Sequence, residues 1–262
     1  MSLIDHFSIP GQVAIVTGAG RGIGRATALT LAEGGADLVL SARTTEDIEQ
    51  VAAEIHSLGR RAIAVTADAN DLDTLAPLVA RAVEEFGRLD IVVNNVGGSF
   101  PRALLETSSR MFEKAFHFNV TTSLELSKAA IPVMLDNGSG SIVNIGSSAG
   151  RLPNRGFAAY GTAKAALAHL TKVMADECSP RIRVNGIAVG SVETSALATV
   201  LDDDLRQRME AATPLQRLGQ PIDIALAVLY LCSPAGSFIT GKMLEVDGGL
   251  QSPNLPLGLA DL

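Results

Sequence analysis

The chain has 262 residues, 47% of them hydrophobic and 19% charged, which are globular values, and that length suits one large α/β domain burying roughly 75% of its unfolded surface. A formal charge of −7 excludes a basic face able to dominate nucleic-acid binding, and no uninterrupted apolar run approaches the ~18 residues of a membrane span. The two cysteines, Cys178 and Cys232, make no disulfide framework or zinc site by spacing and read as buried thiols, so no metal site is expected.

The first six residues lack a basic region followed by an apolar core, so no signal peptide is expected and a cytoplasmic location is the default. Val13 to Val16 reads as a short strand buried on both faces. Glycines 18, 20, 22 and 24 follow, and then the apolar-periodic run Ile23, Ala26, Leu29, Leu31. This is strand, tight turn, helix, and such a turn aims backbone N–H groups and a helix dipole at one point, which suits a phosphate. The spacing is T-G-x-x-x-G-x-G, from Thr17 to Gly24, and no register gives G-x-G-x-x-G.

A second strand is expected over Ala36–Leu40, ending in Ser41-Ala42-Arg43, then a helix capped by Thr44 or Thr45. Ala62–Thr66 is a third strand, with Asp68 beyond its carboxyl end, where ligands sit in open α/β sheets. Asn70 or Asp71 starts a helix with Leu72, Leu75, Val79, Ala82, Val83 and Phe86 on one face. Leu89–Val93 gives a fourth strand, followed by Asn94-Asn95-Val96-Gly97, and a helix covers 109–135. Further strands are expected at Gly140–Ile145, Ile182–Ala188 and Met243–Val246, and helices at 157–177, near 195–212 and at 221–232. Strand and helix alternate throughout, which predicts a single-domain α/β fold, a doubly wound, mostly seven-stranded parallel sheet with helices on both faces, spanning 1–262 without a linker. The tail, 251–262, is expected to be disordered or packed on a neighbouring subunit.

Ser147 closes the fifth strand, and Tyr160 and Lys164 stand at i and i+4, on one helix face. A tyrosine titrating near ~10 must lose roughly 4 kcal/mol to act as a base at neutral pH. A cation about 4 Å away supplies on the order of 1 kcal/mol in water and ~4 kcal/mol at an effective dielectric near 20, so the cleft must also be partly dry. A serine hydroxyl nearby could hold a substrate oxygen while the phenol exchanges its proton.

Taken together, Thr17 to Gly24, Asn94 to Gly97, Asn119, Ser147 and Tyr160-x-x-x-Lys164 resemble the short-chain dehydrogenase/reductase family, with Pro214–Pro221 and Ile239–Gly249 similar to its C-terminal motifs. The resemblance implies a Rossmann fold and hydride transfer between a nicotinamide and an alcohol or ketone. It implies Tyr160 as general acid/base, Lys164 as the group that lowers its pKa and binds the nicotinamide ribose, Ser147 as the group that orients the substrate oxygen, and Asn119 as the holder of a relay water. For the cofactor it implies Gly18, Gly20, Arg21, Gly22, Ile23 and Gly24 in the turn, Ala42 and Arg43 after the second strand, and Asp68 and Ala69 near the adenine, Asp68 being equally readable as a helix N-terminal residue. Asn95, Val96, Gly97, Gly190, Val192 and Thr194 complete the set, with Tyr160 and Lys164. Val96 replaces the family's usual alanine, and Val189 its usual proline.

A carboxylate at the end of the second strand would bind the 2′-hydroxyl of NAD and repel a 2′-phosphate. Here Ser41-Ala42-Arg43 has none, and Arg43 with Arg21 offers forked, charge-assisted hydrogen bonds, so NADP(H) is expected in preference to NAD(H). The substrate pocket is expected between 98–105, 149–157 and 190–209, lined by Phe100, Leu104, Leu152, Phe157, Leu197 and Met209, with a lid over 190–215. Arg102 and Arg155 would meet an acidic group or face solvent. The apolar bias favours a bulky or lipophilic, hydroxysteroid-like carbonyl compound, and resemblance to family members favours a homotetramer pairing the helix at 157–177 and the last strand. The alternatives are a 3-oxoacyl-carrier-protein reductase and a non-catalytic cofactor-binding scaffold or redox sensor.

Overall fold

The computed structural model describes residues 2–198 and 201–257; positions 199–200 of the expected lid and 258–262 of the tail lie outside the described residues. Seven parallel strands form one sheet: β1 (Val13–Thr17), β2 (Asp37–Ala42), β3 (Ala62–Thr66), β4 (Ile91–Asn94), β5 (Gly140–Ile145), β6 (Ile182–Val189) and β7 (Met243–Val246). Their order is β3-β2-β1-β4-β5-β6-β7. The order reverses between β1 and β4, and a crevice opens there beyond the carboxyl ends of the strands.

Side chains alternate across each strand, so the inner strands feed two cores. Ala14, Val16, Leu38, Leu40, Ile91, Val93 and Ile187 pack against α1 (Gly22–Glu33), α2 (Thr45–Ser57) and α9 (Pro221–Cys232). Val13, Ile15, Val39, Val92, Ile142 and Val184 pack against α3 (Leu75–Phe86), α5 (Thr122–Asp136) and α6 (Ala158–Cys178). Burial on both faces is why the strands read as continuous apolar runs.

Several expected boundaries move. β2 runs on to Ala42, so Ser41 and Ala42 are paired strand residues beside Val65 and Thr66 of β3. The helix expected over 109–135 is α4 (Ser109–Phe116), a π-helical turn (His117–Thr121) and α5. Among the described residues near 195–212 are two helices, α7 (Ser195–Ala198) and α8 (Asp203–Ala211), the second capped by the Asp202 carboxylate on the Leu205 N–H. Neither Thr44 nor Thr45 caps α2 with its side chain; Thr45 instead bonds the hydroxyl of Thr66 at 2.7 Å. Asp71, the second of the two candidates, caps the turn before α3. Val83 is 40% exposed, while Leu78, absent from the expected face, is fully buried.

Candidate active site

The junction of β1 and α1 is held from the side by the segment after β4. The Asn95 amide donates to the carbonyls of Thr17 (2.9 Å) and Gly18 (3.3 Å), and the Thr17 hydroxyl accepts from the N–H groups of Asn95 and Val96. Gly18 adopts φ +65°, and a Cβ at Gly24 would run into the Gly18 carbonyl and stand 2.7 Å from the Asn95 amide nitrogen. The turn therefore tolerates no side chain at either position. Asn94, one residue earlier, faces the opposite side and is 3% exposed. Its amide donates to Asn144 of β5 (2.8 Å) and Ser127 of α5 (3.1 Å), and Asn144 donates to Thr171 of α6 (2.9 Å). This buried polar chain links the three elements that carry the chemistry.

A cleft of about 480 Å³ lies over these strand ends. All the residues expected around a cofactor line it: the 18–24 turn, Ala42 and Arg43, Asp68 and Ala69, Asn95 to Gly97, and Gly190, Val192 and Thr194. Ser147, Tyr160 and Lys164 line it as well, while Asn119 lies behind it. Arg21 and Arg43 are exposed at its edge. The Asp68 carboxyl is held below its ordinary range, first by the Asn70 N–H and with a smaller contribution from Arg43. Thr194 sits across the cleft with its methyl group against Gly22, its hydroxyl accepting from the Leu197 N–H. Gly190, after the unusual Val189, donates to the Val246 carbonyl and packs on Asp247, which fixes the root of the lid on β7.

Ser147 and Tyr160 meet because the turn at 148–150 lies directly on α6; a Cβ on Gly161 would be 2.8 Å from the Ala149 carbonyl. Ser147 and Tyr160 line the cleft together, the serine hydroxyl near enough to favour the ionised phenol. Lys164, 3% exposed, donates from Nζ to the Ile145 carbonyl at 2.8 Å and stands 5.8 Å from the centre of the Tyr160 ring. Burial raises the Tyr160 phenol above its ordinary value, and the Ser147 hydroxyl pulls the other way. Burial also lowers Lys164 to about 8. The direction for Tyr160 is the reverse of the depression expected from the i, i+4 spacing, because burial of the phenol is the larger influence.

Asn119 falls in the π-helical turn, a feature frequent at functional sites. Its oxygen accepts from the Gly98 N–H (2.9 Å), and its nitrogen donates to the carbonyls of Gly98 (3.0 Å) and Ala115 (2.8 Å). A Cβ on Gly97 would be 2.7 Å from the Asn119 oxygen and 2.8 Å from Lys164 Nζ, so that glycine separates the two.

A second cavity, about 210 Å³, opens beside Ser147 and Tyr160. Leu152, Phe157 and Leu197 line it as expected. The other three apolar candidates do not: Phe100 and Leu104 are 90% and 60% exposed, and Met209 is fully buried on the inner side of α8. Their place is taken by Pro253, Asn254 and Leu255 of the tail, whose described part packs on its own chain. The sequence reading also missed Ser41, Thr44, Asp47, Phe118 and Gly146 of the larger cleft. Asp47 belongs to the first turn of α2, and only the packing of α2 on Gly20 brings it there. Ser41 stood at the end of a strand, which was signal enough. Among the described residues no group of three or more His, Cys, Asp or Glu could hold a metal, and no helix is long and apolar enough to cross a membrane.

Residues 18–251 match the family model described as enoyl-(acyl carrier protein) reductase, adh_short_C2. The chain is 55% identical to an "uncharacterized oxidoreductase" of Mycobacterium tuberculosis over 99% of its length and 100% of the relative's. It is 40% identical to the 7α-hydroxysteroid dehydrogenase of Escherichia coli K12, covering 94% and 96% of the two chains. It is 36% identical to a 3-oxoacyl-[acyl-carrier-protein] reductase of Vibrio cholerae, covering 93% and 98%. A solved 7α-hydroxysteroid dehydrogenase, complexed with NADH and 7-oxo glycochenodeoxycholic acid, superposes with a TM-score of 0.93 at 40% identity over 98% of this chain and 100% of that one. With its parallel sheet and its Ser-Tyr-Lys cluster at the crevice, the chain belongs to the short-chain dehydrogenase/reductase family of NAD(P)-binding oxidoreductases acting on CH–OH donors.

Proposed function

We propose that the protein is an NADP(H)-dependent oxidoreductase that moves a hydride between nicotinamide and a secondary alcohol or ketone, with a bulky, lipophilic, hydroxysteroid-like substrate. The cofactor preference rests on one observation: β2 delivers Ser41-Ala42-Arg43 to the cleft, an exposed guanidinium where a carboxylate would select NAD. The residues present fit a dinucleotide: the turn leaves no room for a side chain at Gly18 or Gly24, α1 presents its N-terminus there, and Gly97 keeps the space next to Lys164 clear. The substrate class rests on the Leu152, Phe157, Leu197, Pro253 and Leu255 wall beside Tyr160 and on the likeness to hydroxysteroid dehydrogenases. The likeness to 3-oxoacyl reductases supports acyl thioesters as the second reading.

In this reading the cofactor, when bound, supplies the hydride and, in its oxidised form, a cationic ring. Ser147 and Tyr160, which line the same cavity, can both meet one substrate oxygen. Tyr160 gives a proton to that oxygen during reduction and takes it back during oxidation. Lys164, buried and lowered to about 8, returns the proton to the phenol and binds the ribose. Asn119 holds the Gly97–Gly98 segment that follows β4 beside Lys164 and orders a relay water. We further propose a cytoplasmic homotetramer. Exposed Phe112 and Phe116 on α4, Val173 on α6 and the free edge of β7 support the assembly, and the free thiols Cys178 and Cys232 suit that compartment.

An NADPH-coupled screen over steroid ketones, 3-oxoacyl thioesters, sugars and quinones tests the proposal. Steroid ketones are expected to give the highest kcat/KM, with NADPH preferred over NADH. Preference for NADH would overturn the cofactor assignment, and preference for thioesters would favour the second reading. Ala42→Asp is expected to shift preference toward NADH.

A further inference from the structure

The carboxy-terminal strap contains a polar side chain that neither the fold nor the proton relay requires. Asn254 is 5% exposed, although it lies among the last described residues. Its Oδ1 accepts from the Ser191 hydroxyl at 2.8 Å. Its Nδ2 donates to the Thr213 hydroxyl at 2.8 Å and makes a longer contact, 3.5 Å, with the Met209 carbonyl. Thr213 in turn donates to the same Met209 carbonyl at 2.8 Å.

These partners lie at the two ends of the lid. Ser191 follows Gly190 at its root, and Met209 and Thr213 belong to the end of α8 and the turn beyond it. One amide therefore joins the start of the lid to its finish, a connection that needs an acceptor on one side and donors on the other. An aspartate would lose the donors and an apolar residue both. Upstream, the strap is fixed by the Leu250 carbonyl, which accepts from the Arg151 guanidinium at 2.8 Å. Between these anchors the chain has no regular structure, and Pro253 and Leu255, on either side of Asn254, line the cavity beside Ser147 and Tyr160.

We infer that Asn254 is a positioning residue for substrate selection: it ties the lid to the strap, so that Pro253 and Leu255 form a fixed apolar wall of the substrate cavity. The inference rests on the proposed substrate reading and extends it, since a substrate long enough to reach that wall depends on the tie and one that ends at the reacting carbonyl does not. Losing the tie removes the wall's order and leaves buried hydroxyls to find new partners.

The test compares wild type, Asn254→Ala, Thr213→Val and the double variant by hydrogen–deuterium exchange and by steady-state kinetics on a steroid ketone and on cyclohexanone. Asn254→Ala is expected to speed exchange within 191–215 and 250–257, leave β1 and α6 unchanged, and lower the steroid-to-cyclohexanone ratio of kcat/KM about tenfold, chiefly through KM, as the loss of a net hydrogen bond of ordinary strength implies. Thr213→Val is expected to act in the same direction, and the double variant to be no worse than the worse single one. Unchanged exchange, an unchanged ratio, or additive effects would each overturn the inference. If wild type reduces no ketone, the proposed function fails, and the exchange pattern alone decides whether Asn254 ties lid to strap.

Discussion

Burial acts on Tyr160 and Lys164 in opposite directions. It raises the phenol, because the charged form is a phenolate, and lowers the ammonium to about 8, because the charged form is the protonated one. The two groups, ordinarily close in acidity, are thereby drawn apart, with the ammonium the more readily deprotonated of the pair. Replacing Tyr160 by Phe removes the acid while keeping the ring against Phe157; turnover is expected to fall by ~10²–10⁴, with NADPH fluorescence titration showing little change in cofactor affinity. Lys164 also makes stability depend on pH. Its folded value lies below the ordinary 10.5, so the unfolded chain holds the extra proton between pH 8 and 10.5, and stability rises with pH across that window. Below about 8 the buried ammonium costs roughly 3 kcal/mol, from the 1.36 kcal/mol carried by each pH unit. The stability difference between wild type and Lys164→Met, measured by denaturant titration at pH 7 and at pH 10, is expected to move in wild type's favour at the higher pH. A constant difference would show that Lys164 titrates normally. The residue types and their i, i+4 spacing were legible in the sequence; the sign of the phenol's shift was not, because it depends on how much water the fold leaves around the ring.

At the scale of elements, the motifs act as braces. Asn95 holds the glycine turn shut, and Asn94, Asn144 and Thr171 lock β4, β5 and α6 in fixed register behind the cleft. Three consequences follow from that register: Ser147 leaves β5 next to Tyr160, Lys164 reaches the Ile145 carbonyl, and Gly97 fits between Lys164 and Asn119. Thr171→Val keeps the shape and leaves the Asn144 amide without its acceptor, so it is expected to destabilise the protein by about 1–3 kcal/mol in denaturant titration, the cost of an unpaired buried polar group. An unaltered midpoint would mean that Asn144 finds another partner. The order and type of the main elements could be read from the alternation of apolar runs and glycine-marked turns. The π-helical turn at 117–121 could not, since it is marked by no glycine or proline, and the Asn119 bonds to Gly98 and Ala115 are seen only once the chain is folded.

For the molecule as a whole, the reversal of strand order between β1 and β4 gathers residues from 18 to 195 around one cleft, and the tail returns from the far edge of the sheet to line the smaller cavity. The apolar residues left exposed on α4 and α6 are expected to be covered by neighbouring subunits. Light scattering is expected to give about four times the 27.2 kDa chain mass, and Phe112→Glu to reduce it; a monomeric wild type would remove the assembly from the proposal.

By itself the sequence determined the parallel α/β architecture, the phosphate-suited turn, the Ser147, Tyr160 and Lys164 cluster and the missing carboxylate after β2. These depend on local periodicity and on short, fixed spacings, which survive without knowledge of distant contacts. The tertiary structure alone decided that Phe100 and Leu104 face solvent, that Met209 belongs to the core, and that Asn254 lies buried against the lid. Which side of a loop meets a cavity is set by what packs behind it, and for the strap that packing partner lies 41 and 63 residues away in the chain.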